Sequence, residues 1–411
     1  MGNKVLKINP KDNVIVALQD LAKGEAVKYD GETYILQEDI PAKHKFYMSE
    51  MNAGEEVIMY GVLVGKIQHL VLKGMRMSTE NLKHAAEPYA YRKVNYEWHA
   101  PNVSKFIGRT FNGYHRADGR VGTANYWLFI PTVFCENRNL DVIREALHNE
   151  LGYAVTPKYK SYTHQLLSAY QNGEDVANLN LTPTDALANQ QNRPFKNIDG
   201  IKFLNHQGGC GGIRQDAAVL SKLLAAYADH PNVAGVTVLS LGCQNLQSQD
   251  FLNDLKERNP NFSKPLFIYE QQQSQSEEQL ISDAIKQTFL GLIEANKIER
   301  KPAPITELVL GVKCGGSDGF SGISANPAVG YTSDLLVAIG GKVLLAEFPE
   351  LCGAEQDLID RTKDEEKAHK FMILMKAYSD SAERVGSGFH MNPSPGNIKD
   401  GLITDAIKSN G

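Results

Sequence analysis

The residues of this chain best suited to chemistry stand in five short segments. Cys135 lies in FCENR, Cys210 in HQGGCGG, Cys243 in LGCQN, Cys314 in KCGGSDG and Cys352 in ELCGAE. The same segments carry His206, Lys313 and Asp318, and AEFPELCGAE adds Glu347, Glu350 and Glu355. Thiolate, imidazole and carboxylate together suit a transition metal such as iron or zinc better than magnesium or calcium. No C-x-x-C pair occurs, which argues against a zinc ribbon. An iron–sulfur cluster on three dispersed cysteines needs no tight spacing and stays open as an alternative. A bland reading competes at each position. A cysteine in a turn is commonly a small buried hydrophobe, His206 is as readily bonded to backbone, and Lys313 with Asp318 forms an internal ion pair as readily as a site.

The loop around Cys314, within LVLGVKCGGSDGFSGISANPAVG (308–330), is rich in glycine, and glycine lets backbone amides close around phosphate. The spacing excludes a nucleotide loop. Neither G-x-x-x-x-G-K-[ST] nor G-x-G-x-x-G can be read, and Lys313 precedes the glycines.

These loops need strands to hold them. From Thr123 the pattern alternates: strands at 124–134, 200–205, 233–241, 264–269, 307–312 and 342–348, with helical periodicity at 139–151, 216–228 and 250–258. Asn326-Pro327 fits a helix start and Gly340-Gly341 its stop. Each cysteine therefore follows a strand and precedes a helix. In an open parallel sheet such loops share the carboxyl edge, where ligands bind, so two or three of them are expected to converge. Before residue 83 the pattern is different. LAKGEAV, MNAGEEV and LVLKGMRM repeat an apolar residue, a glycine turn and alternating apolar positions, which reads as short strands and tight turns. The expected fold class is α/β: a small all-β module over 1–82, a linker over 83–122 that packs on something through its Tyr and Trp residues, and a parallel-sheet region over 123–411.

With 411 residues, a net charge of −5 and no basic cluster, the chain offers no footprint for nucleic acid or anionic membrane. MGNKVLKINP lacks the apolar core of a signal peptide, and no apolar run reaches the roughly 20 residues of a membrane span. The expected setting is the cytoplasm, with the five cysteines as thiols.

HQGGCGG, LGCQN, VKCGGSDGFSGISANPAVG, AEFPELCGAE and MNPSPGN, together with NGYHRADGRVGTANYWLFIPTVFCENRN, resemble the altronate and galactarate dehydratase family of sugar-acid hydro-lyases. The resemblance covers nearly the whole chain. It implies a SAF-like (β-clip) amino-terminal module, a Rossmann-like parallel-sheet region, and dehydration of D-altronate to 2-dehydro-3-deoxy-D-gluconate. Galactarate dehydration and a non-catalytic sugar-acid sensor are the alternatives. It further implies Fe2+, with Mn2+ as a substitute, held among His44, Cys210, Cys243, Cys314 and Glu347. His206, Lys313 and Asp318 are then the candidates for proton transfer, while Gly315, Gly316, Ser317 and Asn392 line the sugar acid. His44 has a use only if the β module reaches the loops around Cys210 and Cys314. The partners implied are a small sugar acid and further copies of the chain in a homo-oligomer. This chain departs from the family pattern at Lys43-His44-Lys45, where Gly-His-Lys is common, at Arg76-Met77-Ser78, where His-x-His is common, and at Ala124-Asn125, where Arg-Asn is common. Members commonly run past the point matching Gly411, so further chain is expected there.

Overall fold

Three copies of one glycine turn organise the amino-terminal module. Gly24, Gly54 and Gly74 take φ of +78°, +88° and +82°, and the next amide bonds back across each turn, Glu25 to Ala22, Glu55 to Asn52 and Met75 to Leu72. Gly74 is required twice over, because a Cβ there would stand 2.3 Å from the Ile35 carbonyl oxygen. The turns separate strands β1 (Val5–Leu6), β2 (Val14–Ala17), β3 (Ala26–Tyr29), β4 (Glu32–Ile35), β5 (Lys45–Tyr47), β6 (Glu56–Met59), β7 (Val62–Ile67) and β8 (Leu82–His84). They pair as three small antiparallel sheets, β1-β2-β5, β3-β4 and β6-β7-β8. Asp30-Gly31 and Tyr60-Gly61 close the two hairpins with positive φ at both positions, the geometry that matches strand twist. The computed structural model describes residues 3–94, 96–154, 158–182, 193–211 and 213–411.

The next unit, Gly108–Glu307, opens with β9 (Thr110–His115) and β10 (Val121–Gly122) and continues through β11 (Tyr126–Pro131), α1 (Asn137–Glu150), α2 (Lys158–Gln171), β12 (Gly200–Phe203), α3 (Arg214–Asp229), β13 (Val233–Ser240), α4 (Ser248–Arg258), β14 (Leu266–Glu270), α5 (Glu277–Ala295) and β15 (Lys301–Pro304). Four strands form a parallel sheet in the order β12-β11-β13-β14. All eight residues of β13 are buried, as a strand covered on both faces requires. Trp127 and Phe129 of β11 face a core with Leu140, Ile143, Ala284 and Leu292 of α1 and α5. Leu128 and Ile130 face the opposite core with Leu224, Phe251 and Leu255 of α3 and α4. Trp127 lies against Gly235 and Gly291, and its indole N–H donates to Thr237 at 3.0 Å.

The last segment holds β16 (Val309–Val312), α6 (Ala325–Ile339), β17 (Lys342–Leu345), α7 (Glu355–Asp360), α8 (Glu365–Arg384), α9 (Pro395–Lys399) and α10 (Asp405–Asn410). It groups with the β module, so the two units are Met1–Ile107 with Leu308–Gly411, and Gly108–Glu307. The linear division into 1–82, 83–122 and 123–411 does not follow this grouping. The reason is hydrophobic. Leu402, Ile403, Ala406 and Ile407 are buried in one core with Val14, Val57, Val64 and Met77 of the β module, and Thr404 Oγ1 donates to the Val64 carbonyl at 2.8 Å. The linker packs on the same segment, Arg92 on Asp360 and Tyr91 on His369. The single parallel sheet expected from the alternation is thus divided, since β16 and β17 pair with each other in the first unit. Helix α6 starts earlier than Asn326-Pro327 suggests, at Ala325, leaving Pro327 in the first turn, where helix amides lack partners anyway. Its stop is as expected, with Gly340 left-handed at φ +108°. Among the described residues no helix is long and apolar enough to cross a membrane.

Candidate functional site

Strands β16 and β17 end side by side, and the loops that follow them bring three ligand-type groups together. Cys314, Glu347 and Glu350 each offer an atom within 4.8 Å of the others, and among the described residues they are the one trio of His, Cys, Asp or Glu that does so. Glu347 Oε1 pairs with Lys313 Nζ at 3.1 Å, while its Oε2 is buried with no hydrogen-bond partner. The trio borders a cavity of about 940 Å³, also lined by Gly315, Gly316, Ser317, Asp318, Tyr60 and Lys408. Nothing within 4 Å would meet a Cβ on Gly315 or Gly316, so backbone is open to the cavity there. Ser317 Oγ lies 3.7 Å from Cys314 Sγ.

A second cluster ties the Cys314 loop to the β module. Lys43 Nζ sits 2.8 Å from Asp400 and 3.1 Å from Asp318. Asp400 also accepts the Gly319 amide at 3.0 Å. Burial works to raise the Asp400 carboxyl, but Lys43 and that amide outweigh it and hold it low. The Phe320 amide, then Lys43, holds Asp318 below the usual carboxylate range. Lys45 is 1 % exposed and donates to the Gly401 carbonyl at 2.7 Å, and burial pushes its ammonium down to about 8. His44 Nε2 meets the Lys399 carbonyl at 3.0 Å; burial lowers its pKa, and Nδ1 is buried without a partner. Five non-glycine residues among those described have positive φ. Asp30 and Tyr60 are hairpin residues, and the other three, Lys43, Ser317 and Glu347, all belong to these two clusters. Left-handed backbone at non-glycine residues is held against strain and gathers at functional sites.

Lys408 enters from α10. Only 11 % of its side chain is exposed; Nζ donates to Asn392 Oδ1 at 2.9 Å and lies 3.8 Å from Glu350. Of the residues the sequence singled out, the structure therefore assembles Cys314, Glu347, Lys313, Gly315, Gly316, Ser317 and Asp318 around one cavity, with Asn392 holding Lys408. His206, Cys210 and Cys243 lie in the other unit. Both His206 nitrogens are engaged there, Nε2 with the Pro131 carbonyl at 2.7 Å and Nδ1 as acceptor of the Gly208 amide at 3.1 Å. That is the backbone-bonded alternative raised for this residue. Within the first unit, Glu350 joins Cys314 and Glu347, and His44 is not one of the three. Asp400 and Lys408 carried no signal, because the meaning of each comes from a partner far along the chain, and Lys43 stood out only as a departure from the family's Gly-His-Lys.

The β module, the α/β body and the segment with the glycine-rich loop, the thiol and the two carboxylates each match a known family description. Residues 3–85 match the altronate/galactarate dehydratase SAF domain, 113–296 the second domain of D-galactarate dehydratase/altronate hydrolase, and 305–411 the C-terminal domain of D-galactarate/altronate dehydratase. The chain belongs to the altronate/galactarate dehydratase family. It is 30 % identical to altronate dehydratase of Bacillus subtilis (strain 168) and 30 % to that of Escherichia coli (strain K12), in each case over 99 % of this chain and 72 % of the relative. Galactarate dehydratase (L-threo-forming) of Escherichia coli (strain K12) is 29 % identical over 99 % of this chain and 71 % of its own length.

Proposed function

We propose that this chain is an altronate dehydratase, removing water from D-altronate to give 2-dehydro-3-deoxy-D-gluconate. The observation that carries the reading is the Cys314, Glu347 and Glu350 trio on a cavity that also presents Lys313 and Lys408. Dehydration of a sugar acid removes a weakly acidic proton beside a carboxylate and expels a hydroxyl from the next carbon. When held by Cys314, Glu347 and Glu350, iron(II), with manganese as a substitute, would supply Lewis-acid chemistry to that step. The trio fits such an ion: one thiolate and two carboxylates suit it, and the unpartnered Glu347 Oε2 has a lone pair to give. Lys408, fixed by Asn392, meets the substrate carboxylate as a positive charge with little water around it. Gly315 and Gly316 let the sugar acid approach main-chain amides, so their role is with a carboxylate rather than a phosphate. In this reading Lys313, paired with Glu347 beside the cavity, takes the proton-transfer role. Asp318, held low by the Phe320 amide and Lys43, is a weak base and anchors the loop. We also read the middle sheet as Rossmann-like; its strand order and its cores on both faces support this. The test is turnover of D-altronate and of galactarate, each with ferrous iron under anaerobic conditions. Faster altronate turnover is expected, faster galactarate turnover reassigns the substrate, and inactivity on both refutes the reading.

A further inference from the structure

We propose that the middle unit carries a site of its own, an iron–sulfur cluster held by Cys135, Cys210 and Cys243. The three thiols follow β11, β12 and β13, which lie side by side in the order β12-β11-β13. Parallel strands stand about 4.8 Å apart, so loops leaving the same edge of three neighbours occupy one small patch. Hydrogen bonds close to each cysteine stitch these loops together. The Phe134 amide donates to the Gly208 carbonyl at 3.0 Å, Asn245 Nδ2 to the Cys210 carbonyl at 2.8 Å, and the Leu246 amide to the Gly209 carbonyl at 3.2 Å.

A glycine makes this approach possible. Gly209 takes φ of +97°, and a Cβ there would lie 2.1 Å from the Thr132 carbonyl oxygen and 2.8 Å from Val133 Cα. Any other residue would push the Cys210 loop off the end of β11, away from Cys135. The thiols remain reachable from solvent: Cys135 and Cys243 are exposed and Cys210 half-buried.

Two thiolates bound at about 2.3 Å to one ion cannot be more than roughly 4.6 Å apart. The three sulfur atoms are not all within 4.8 Å of one another, because among the described residues Cys314, Glu347 and Glu350 are the one trio at that spacing. A single ion is too small for these thiols as they stand, whereas a cluster spreads its cysteine ligands over several iron atoms. Three thiolates on a [4Fe–4S] cluster leave one iron without a protein ligand, open to water or to a small oxygen donor. The three cysteines belong to Gly108–Glu307 and the carboxylate trio to the other unit, and the cluster does not depend on the altronate reading.

The experiment is anaerobic reconstitution of the full chain with ferrous iron and sulfide, followed by iron and acid-labile sulfide analysis and a visible spectrum. About four sulfides and four cluster irons per chain are expected, with one further iron where the carboxylate trio is filled, and a broad visible absorption. Cys210→Ser and the triple variant C135S/C210S/C243S lose the sulfide and the colour, while Cys314→Ser keeps both. Wild-type protein that binds iron without labile sulfide overturns the proposal, whatever the variants do. So does a triple variant that binds as much sulfide as wild type. Altronate turnover in the same samples is a separate readout: turnover without labile sulfide sinks the cluster and leaves the dehydratase reading standing, and sulfide without turnover does the reverse.

Discussion

Replacing Asp405 with Asn removes a charge problem that the fold creates at the start of α10. Asp405 is 1 % exposed, and neither carboxylate oxygen has a hydrogen-bond partner. Burial pushes its pKa up to about 7; the Cys352 thiol and Lys408 hold it down in part, and Glu355 and Glu350 push it further up. Because the folded-state pKa is raised from an ordinary value of 3.8, the folded chain keeps a proton between about pH 4 and pH 7 that the unfolded chain has released. The stability this provides is complete below the unfolded pKa and is lost as the pH rises through about 7. At about 1.4 kcal/mol per unit, the loss between pH 5 and pH 7 is roughly 3 kcal/mol. For a folding unit of this size each kcal/mol moves the melting temperature by about 2–4 °C. The wild type should therefore lose roughly 6–12 °C relative to D405N between pH 5 and pH 8, read as paired thermal melts of the full chain by circular dichroism. Melting curves for the two proteins that run parallel across that range would refute the reasoning, since the carboxyl would then be ionised in the folded state throughout.

Glu350→Gln and Glu347→Gln should each weaken ferrous iron binding to the trio by at least about tenfold, measured by competition with a chelator; unchanged affinity in both removes the trio as a metal site. Lys408→Met should raise KM for a sugar-acid substrate by about 10- to 100-fold, the worth of a charged hydrogen bond at about 1.5–3 kcal/mol, with a smaller change in kcat. An effect confined to kcat would instead mean that Lys408 acts on the reacting atoms. Gly74→Ala combines positive φ with a clash on the Ile35 carbonyl and should cost about 3 kcal/mol or more. Gly24→Ala has the same backbone but open space and should cost only about 1–2 kcal/mol; equal losses in denaturant melts would mean that the close approach at Gly74 carries no weight.

What the sequence disclosed follows from how local each feature is. The repeated turns at Gly24, Gly54 and Gly74 were readable because glycine position and apolar alternation sit within a few residues of each other. The alternation after Thr123 was readable for the same reason, since β13 is one apolar run and α1 shows its buried stripe at Leu140, Ile143 and Leu147. Sheet membership was not. Nothing in LVLGV says that β16 pairs with β17 in a different unit from β13, because that is settled by which core each segment completes. The site divides along the same line. Cys314 with its glycines, and Glu347 beside them in strand order, were legible as neighbouring loops. Glu350 was seen only as company for Glu347, and Lys408 and Asp400 stand in short helices and turns whose sequences announce nothing.

The position of Asp400 and α10 gives these unsignalled residues a common cause. Leu402, Ile403, Ala406 and Ile407 are buried with Val14, Val64 and Met77, and burying each of the larger of these side chains contributes about 1.5–3 kcal/mol. That core fixes the segment from Asp400 to Lys408 against the β module. Once it is fixed, Lys45 reaches the Gly401 carbonyl, Lys43 reaches Asp400, and Asp400 in turn takes the Gly319 amide at the far end of the Cys314 loop. At the other end of the same segment, Lys408 is carried to Glu350 at the cavity wall and is held by Asn392. The β module therefore shapes the site without lending it a ligand from among the trio. Its Lys43-His44-Lys45 run acts on the backbone and on Asp318 and Asp400, which set the path of the glycine-rich loop. Weakening that core, as Ile407→Ala would, should loosen the loop and Lys408 together, because both hang from the same short stretch of chain.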